Sequence, residues 1–426
     1  MAGFWRHWLL AVTFWLPVFC ISLIIYLLAS NKILILFLAI NILAWGAAIR
    51  WGAGVWFLQI RLLYGMLLAV ELAMQGLAFL HGLPGLNVKH DVPFGRVYWT
   101  KEGDGVNATM NRFGWYAVES VPRRDMRRIV LIGDSMVEGV QVEKREKLDV
   151  RMQSLLGGTQ VFSLGLSGAY PGTYLEMVRH AIKFYNPHEI IIFITVWNDF
   201  RNALPELNAI NYSYIYYDLA PGGELVALPG TREAIQALHA HMESNRNPSF
   251  FLLVESARGH LLVPWMVRKW FADSRKSAPH ARGAGEGRFG AGVDGAIYRK
   301  EPDALTQKAY AINFKLLEQC LALARAHGAT LRLVAIPHFP EFFHAAASDA
   351  AWSTDFGDMD LLLPERKIGS FAAEHAIPFL PGGQRMLEQG VGRGMVYSWY
   401  ARGVGHWTVA GHEQFARMLL REWYVE

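Results

Sequence analysis

The run Glu-Ile-Ile-Ile-Phe-Ile-Thr-Val at 189–196 constrains the fold more than any other stretch of the chain. β-Branched side chains crowd a helix and suit a pleated strand. The apolar residues here follow one another without alternation, so a strand built from them is buried on both faces. Such a strand belongs inside a sheet covered by helices. Shorter runs of the same kind lie at Arg128–Ile132, Gln160–Gly165, Leu331–Ile336 and Ile377–Leu380. Between and after them, helical spacing is read over Thr173–Phe184, over Leu305–His327 with Gly328 as its C-cap, and over Val409–Tyr424. Repeated strand–helix units predict an α/β fold with a parallel sheet covered on both faces.

Two stretches stand outside this rhythm. Asn87–Arg127 is mixed and shows no clear period, with a turn expected at Asn111–Gly114. From about 245 to 299, aromatic, aliphatic and basic residues mix, as in Phe250–Val254 and Leu261–Phe271, and then a Gly-, Ala- and Arg-rich tract follows. This reads as an insertion near the rim of the sheet. It is either a segment lying on a membrane surface or a lid packed over the sheet.

Hydrophobic residues make up 52% of the 426 residues, and the excess concentrates in the first 80. Trp8–Ala29 and Ile33–Ile49 carry no charge, and Leu62–Leu80 carries only Glu71. A hydrocarbon core needs roughly 20 apolar residues, so the expected division is a helical membrane region at 1–82, with spans at about 8–29, 33–49 and 62–80, and an α/β domain at 83–426. Arg6, Arg50 and Arg61 against Lys32 place the N-terminus in the cytoplasm. Three spans then place the α/β domain on the outer side, with a bacterial inner membrane the expected setting. Glu71 would be protonated, paired with Arg61 or a backbone group, or functional. A net charge of +4 gives no reason to expect a nucleic-acid partner. Cys20 and Cys320 read as buried free thiols. There is no phosphate-binding glycine loop or metal-ligand cluster, so the expected chemistry needs no cofactor.

The candidate chemistry lies at the strand ends, where open α/β sheets bind ligands. Ser135 follows the first strand in Gly133-Asp134-Ser135, Gly168 follows the second and Asn198 the third, while His406 precedes the last helix. Acyl transfer needs a hydroxyl nucleophile, a base and donors around the oxyanion. Ser135 would be the nucleophile and His406 the base. The Ser135 and Gly168 N–H groups and the Asn198 amide would form the oxyanion hole. Asp134 reads as a turn residue and His412 as structural.

In these four residues, their order and their approximate spacing, the chain resembles the SGNH, or GDSL, hydrolase family, over roughly Asn111–Glu426 apart from the insertion. The resemblance implies a three-layer α/β/α sandwich with a mostly parallel, flavodoxin-like sheet, and hydrolysis or transfer of acyl esters. Membrane-bound relatives act on O-acetyl groups of cell-surface glycans, sometimes beside a membrane-bound O-acyltransferase. The chain departs from the family in two respects. Gly403 and Val404 stand where an Asp usually precedes the histidine, and Val196 stands where the third motif has glycine. A backbone carbonyl, or a carboxylate such as Asp199 or Asp134, would then have to orient the imidazole.

Three readings follow. One is a membrane-anchored serine esterase or O-acyltransferase acting on an acylated glycan or lipid. Another is a catalytically weak SGNH-like subunit that binds within a larger membrane complex. The third is a lipid-directed esterase with the insertion as its lid.

Overall fold

The computed structural model describes residues 87–99, 105–207, 215–249, 295–337, 358–389, 398–401 and 405–424, together with Glu71, Glu102, Leu252 and 355–356. The three expected spans lie outside these residues except for Glu71, as does most of the 245–299 insertion. Among the described residues, no helix is long and apolar enough to cross a membrane.

The described chain begins with a small antiparallel sheet of β1 (Val88–Lys89), β2 (Arg96–Trp99) and β3 (Val106–Thr109), in the order β1-β2-β3. Its inner side packs Val97, Val106, Met110, Tyr116 and Val140 into a cluster of its own. The expected turn follows, where the Asn111 side chain accepts the Phe113 and Trp115 N–H groups at 2.9 and 3.0 Å. Such short strands leave no readable period, which explains why the sequence gives no sign of this sheet.

Then the α/β alternation starts, with β4 (Arg127–Gly133), the short α1 (Ser135–Glu138), α2 (Leu148–Leu156), β5 (Thr159–Gly165), α3 (Pro171–Tyr185), β6 (Glu189–Thr195) and the single turn α4 (Asp199–Asn202). A hairpin, β7 (Tyr217–Leu219) and β8 (Leu225–Ala227), and a helix, α5 (Thr231–Arg246), interrupt the crossover. The long α6 (Ala304–His327) leads back to β9 (Thr330–Ile336). Asp303 caps α6 by accepting the Thr306 N–H at 2.8 Å, and Gly328 ends it at φ +79°, as expected for a left-handed C-cap. After the small pair β10 (Asp355–Phe356) and β11 (Met359–Asp360) come α7 (Leu363–Glu374), β12 (Phe379–Pro381), α8 (Gly382–Glu388) and the closing α9 (Val409–Trp423).

The main sheet runs β12-β9-β6-β4-β5 and is parallel throughout. Taken in chain order its strands lie 5-4-3-1-2, the flavodoxin-like doubly wound arrangement. Successive residues of β4 and β6 face opposite cores. Val130, Ile132, Ile190, Ile192 and Ile194 pack with α3, α6 and α7, whereas Ile129, Leu131, Ile191 and Phe193 pack with α2, α8 and α9. Each fully buried side chain of this kind is worth about 1.5–3 kcal/mol, so the unbroken apolar run at 189–196 makes β6 the natural centre of the sheet. Pro381 closes β12 at the sheet edge, where a missing N–H leaves no gap in the ladder.

Candidate active site

The strand order reverses between β4 and β6, and ligand groups gather at the carboxyl end of a sheet at such a point. Ser135 opens α1 directly after β4. Asp134 caps that helix, its Oδ1 accepting the Met136 N–H at 2.9 Å. Gly165, at the end of β5, is required by close approach, since a Cβ there would lie 2.1 Å from the Glu138 backbone nitrogen. The loops after β4 and β5 are thereby pressed together, and the Leu166 N–H donates to the Gly133 carbonyl at 3.1 Å.

His406 comes from the far end of the chain. The turn that carries it is held by the Ala401 N–H on the His406 carbonyl and the Thr408 N–H on the Trp399 carbonyl, each at 2.8 Å. Trp407 beside it is fully buried against Phe193 and Phe415. Emptying such an aromatic site costs about 3–5 kcal/mol, more than the ~1.5–3 kcal/mol of a hydrogen bond to a charged group. The tryptophan therefore pins the turn, and the polar contacts set the ring.

Ser135 and His406 meet as the sequence predicts, with Nε2 2.9 Å from the serine Oγ. On the other side, Nδ1 lies 2.6 Å from Glu102 Oε2, which also accepts the His406 backbone N–H at 3.1 Å. With Nδ1–H donating to the carboxylate, Nε2 is left as the acceptor of the serine proton. Glu102 sits between β2 and β3 with its side chain 15% exposed. Sequence reasoning missed it. It lies 304 positions from the histidine, in the stretch without a clear period, and no local signal marks it. The usual acid position at 403–404 lies outside the described residues.

Neither carboxylate suggested as a substitute orients the ring; both are engaged beneath the site. Asp134 is fully buried and accepts the Thr195 hydroxyl at 2.9 Å and the Asn198 Nδ2 at 3.0 Å. Asp199 accepts the Tyr174 hydroxyl at 2.8 Å and the Thr195 N–H at 3.1 Å. Burial raises the pKa of Asp134 against the pull of its Asn198, Met136 and Thr195 donors. Burial raises Asp199 further, with the neighbouring Asp134 adding to the effect. The two carboxylates frame Asn198 and the end of β6, and neither reaches the imidazole.

Gly168 and Asn198 sit in the loops after β5 and β6, the two strands that flank β4, so both border the Ser135 loop. Gly168 has φ +77°, a conformation that favours glycine and turns the loop sharply. The Asn198 side chain is tied to the Ser135 loop through Asp134. Val196, the other departure, is buried in the core and donates its N–H to the Ile336 carbonyl at 3.2 Å. His412 is buried on α9, where its Nδ1 accepts the Leu148 N–H at 3.3 Å; burial pushes its pKa down to about 3. Cys320 is buried and free, its thiol pushed up by burial. Among the described residues no cluster of side chains could hold a metal ion.

No protein-family model matches the sequence, and no curated protein matches it. Solved structures similar to the chain include TesA, at 11% identity and a TM-score of 0.36 over 70% of this chain and 98% of that one. A lipase/acylhydrolase from Enterococcus faecalis matches at 12% identity and a TM-score of 0.33 over 70% of this chain and 95% of its own. An acetyl-xylooligosaccharide esterase from Geobacillus matches at 12% identity and a TM-score of 0.33 over 72% of this chain and 98% of its own.

Proposed function

We propose that the chain is a serine esterase or O-acyltransferase of the SGNH type, working through Ser135, His406 and Glu102. One observation carries the reading. A single imidazole reaches the serine hydroxyl at 2.9 Å with one nitrogen and a carboxylate at 2.6 Å with the other. The Ser135 Oγ attacks the ester carbonyl while its proton passes to His406 Nε2. Glu102 keeps Nδ1 protonated and stabilises the imidazolium that forms. The Ser135 and Gly168 N–H groups and the Asn198 amide receive the charge on the tetrahedral oxygen. His406 returns the proton to the leaving alkoxide, giving an acyl-serine and a free alcohol. Water, or an acceptor hydroxyl in a transferase, then takes the acyl group by the same steps in reverse.

A binding subunit would need no acid on the imidazole, and Glu102 offers one at 2.6 Å. The substrate we propose is an acylated glycan or lipid reached from the membrane. The three apolar runs at 8–29, 33–49 and 62–80 support an anchor, and the basic residues support an outward-facing domain. A membrane-bound acyltransferase is the partner class this setting suggests. The test is labelling by an active-site-directed fluorophosphonate. The wild-type protein should be tagged and Ser135→Ala should not; a folded wild type that stays unlabelled and hydrolyses no chromogenic ester would refute the proposal. A reporter fused after Glu426 should be active only outside the cytoplasm.

A further inference from the structure

Glu138 ends α1, three residues after the nucleophile, with its side chain 2% exposed. An isolated carboxylate at that depth would be costly, and its partners come from two other elements. One oxygen accepts the Lys89 ammonium of β1 at 2.6 Å. The other accepts the Ser167 N–H at 3.2 Å and the Ser167 hydroxyl. Lys89 is mostly covered and also meets Asp91 at 3.2 Å. Burial opposes its charge, but Glu138 and Asp91 outweigh burial, so its pKa lies above the ordinary lysine value.

Ser167 directly precedes Gly168. The hydrogen bonds of the Ser167 N–H and hydroxyl hold that residue's backbone and side chain against the nucleophile's own helix. With the Leu166 N–H on the Gly133 carbonyl and the Ala169 N–H on the Leu166 carbonyl at 2.9 Å, the residues on both sides of Gly168 are held. We propose that Glu138, with Lys89 as its counter-charge, is a positioning residue that sets the Gly168 N–H for the oxyanion. This rests on the reading of Gly168 given above. Misplacement of a catalytic donor by even 1 Å can cost on the order of 100-fold, so the effect belongs in turnover and not in substrate binding.

The experiment uses the full chain, a chromogenic acetate ester and a boronic acid, which forms a tetrahedral adduct on the serine and so probes the oxyanion site. Glu138→Gln should lower kcat about 10- to 100-fold, leave KM within about threefold, and weaken boronate binding in step with kcat. In the Gln variant the one amide oxygen is drawn to the ammonium, and the N–H₂ then faces the Ser167 N–H. Adding Lys89→Met removes that donor–donor conflict and should restore most of the lost kcat, an outcome that loss of a stabilising ion pair would not give. Ser167→Ala, which removes only the hydroxyl, should lower kcat by several-fold. If a folded Glu138→Gln keeps kcat and boronate affinity within twofold of wild type, the proposal is overturned. Should Glu138→Gln not fold, an unchanged kcat in Ser167→Ala overturns it instead. Failure of the underlying reading looks different: wild type would not bind the boronate at all.

Discussion

The two halves of the site are built differently. Ser135, Gly168 and Asn198 hang from adjacent strands of the five-stranded parallel sheet, whose buried residues fill both faces. Glu102 hangs from the link between two four-residue strands, in a sheet with a small core of its own. On the proposed reading the nucleophile and oxyanion donors are carried by the ends of adjacent sheet strands. The carboxylate on the His406 ring comes from the small sheet, across 304 positions. The two halves touch where Lys89 of β1 meets Glu138 of α1 at 2.6 Å.

Mutations at the two halves test that separation. Ser135→Ala should have the largest effect, abolishing fluorophosphonate labelling and lowering ester turnover by about 10⁴-fold or more, read in a continuous chromogenic assay. Glu102→Gln keeps the hydrogen-bond geometry but removes the charge that stabilises the imidazolium. It should cost up to about 10⁴-fold in kcat with labelling slowed but not abolished. A loss under threefold would mean that the small sheet contributes no acid. Asn198→Ala removes one oxyanion donor and should cost about 10²–10³-fold in kcat with little change in KM. The same assay on all three ranks the parallel sheet against the small one.

The smallest expected effects are on stability, and they oppose each other. Burial lowers the His412 pKa from 6.5 to about 3, so the unfolded chain binds more protons in that window, and stability is lost as pH falls from 6.5 toward 3. Glu365 on α7 accepts the Gly383 and Gln384 N–H groups at 2.7 and 2.8 Å, yet burial raises its pKa from 4.5 to about 7. There the folded chain binds the extra proton, and stability is lost as pH rises from 4.5 to about 7. Melting temperatures across pH 3–8 should therefore lose part of their acid slope in His412→Asn and part of their neutral slope in Glu365→Gln. Neither change should alter labelling of Ser135.

Much of the main sheet was legible in the sequence because its strands are β-branched runs too apolar to sit anywhere but between helices. β4, β5, β6 and β9 fall within a residue of the expected ends, and α3, α6 and α9 within two. Ser135 and His406 were legible because each adjoins such an element. The helix α5 was also readable from Ile235, Leu238 and Met242 at helical spacing, but the surrounding irregular stretch hid it. Glu102 was not readable at all. An acid in a Gly-rich link says nothing of its distant partner, because that pairing is made by packing of Val97, Val106 and Tyr116 and not by any local pattern. For the same reason the carboxylates near the motifs, Asp134 and Asp199, drew attention that their hydrogen bonds do not justify.

Where Glu102 sits, on a stretch that ends before β4 begins, suggests cutting the chain there. A fragment starting just before β4 carries the strands of the parallel sheet, the serine and the imidazole but loses Glu102, the Lys89 partner of Glu138 and the packing of Phe113, Trp115 and Ala117, and should turn over almost nothing. Supplying the stretch 87–119 as a separate peptide should then restore turnover by non-covalent complementation, with a dose dependence that measures how tightly the two modules hold each other. Glu102→Gln in that peptide should let it bind and still fail to revive the fragment.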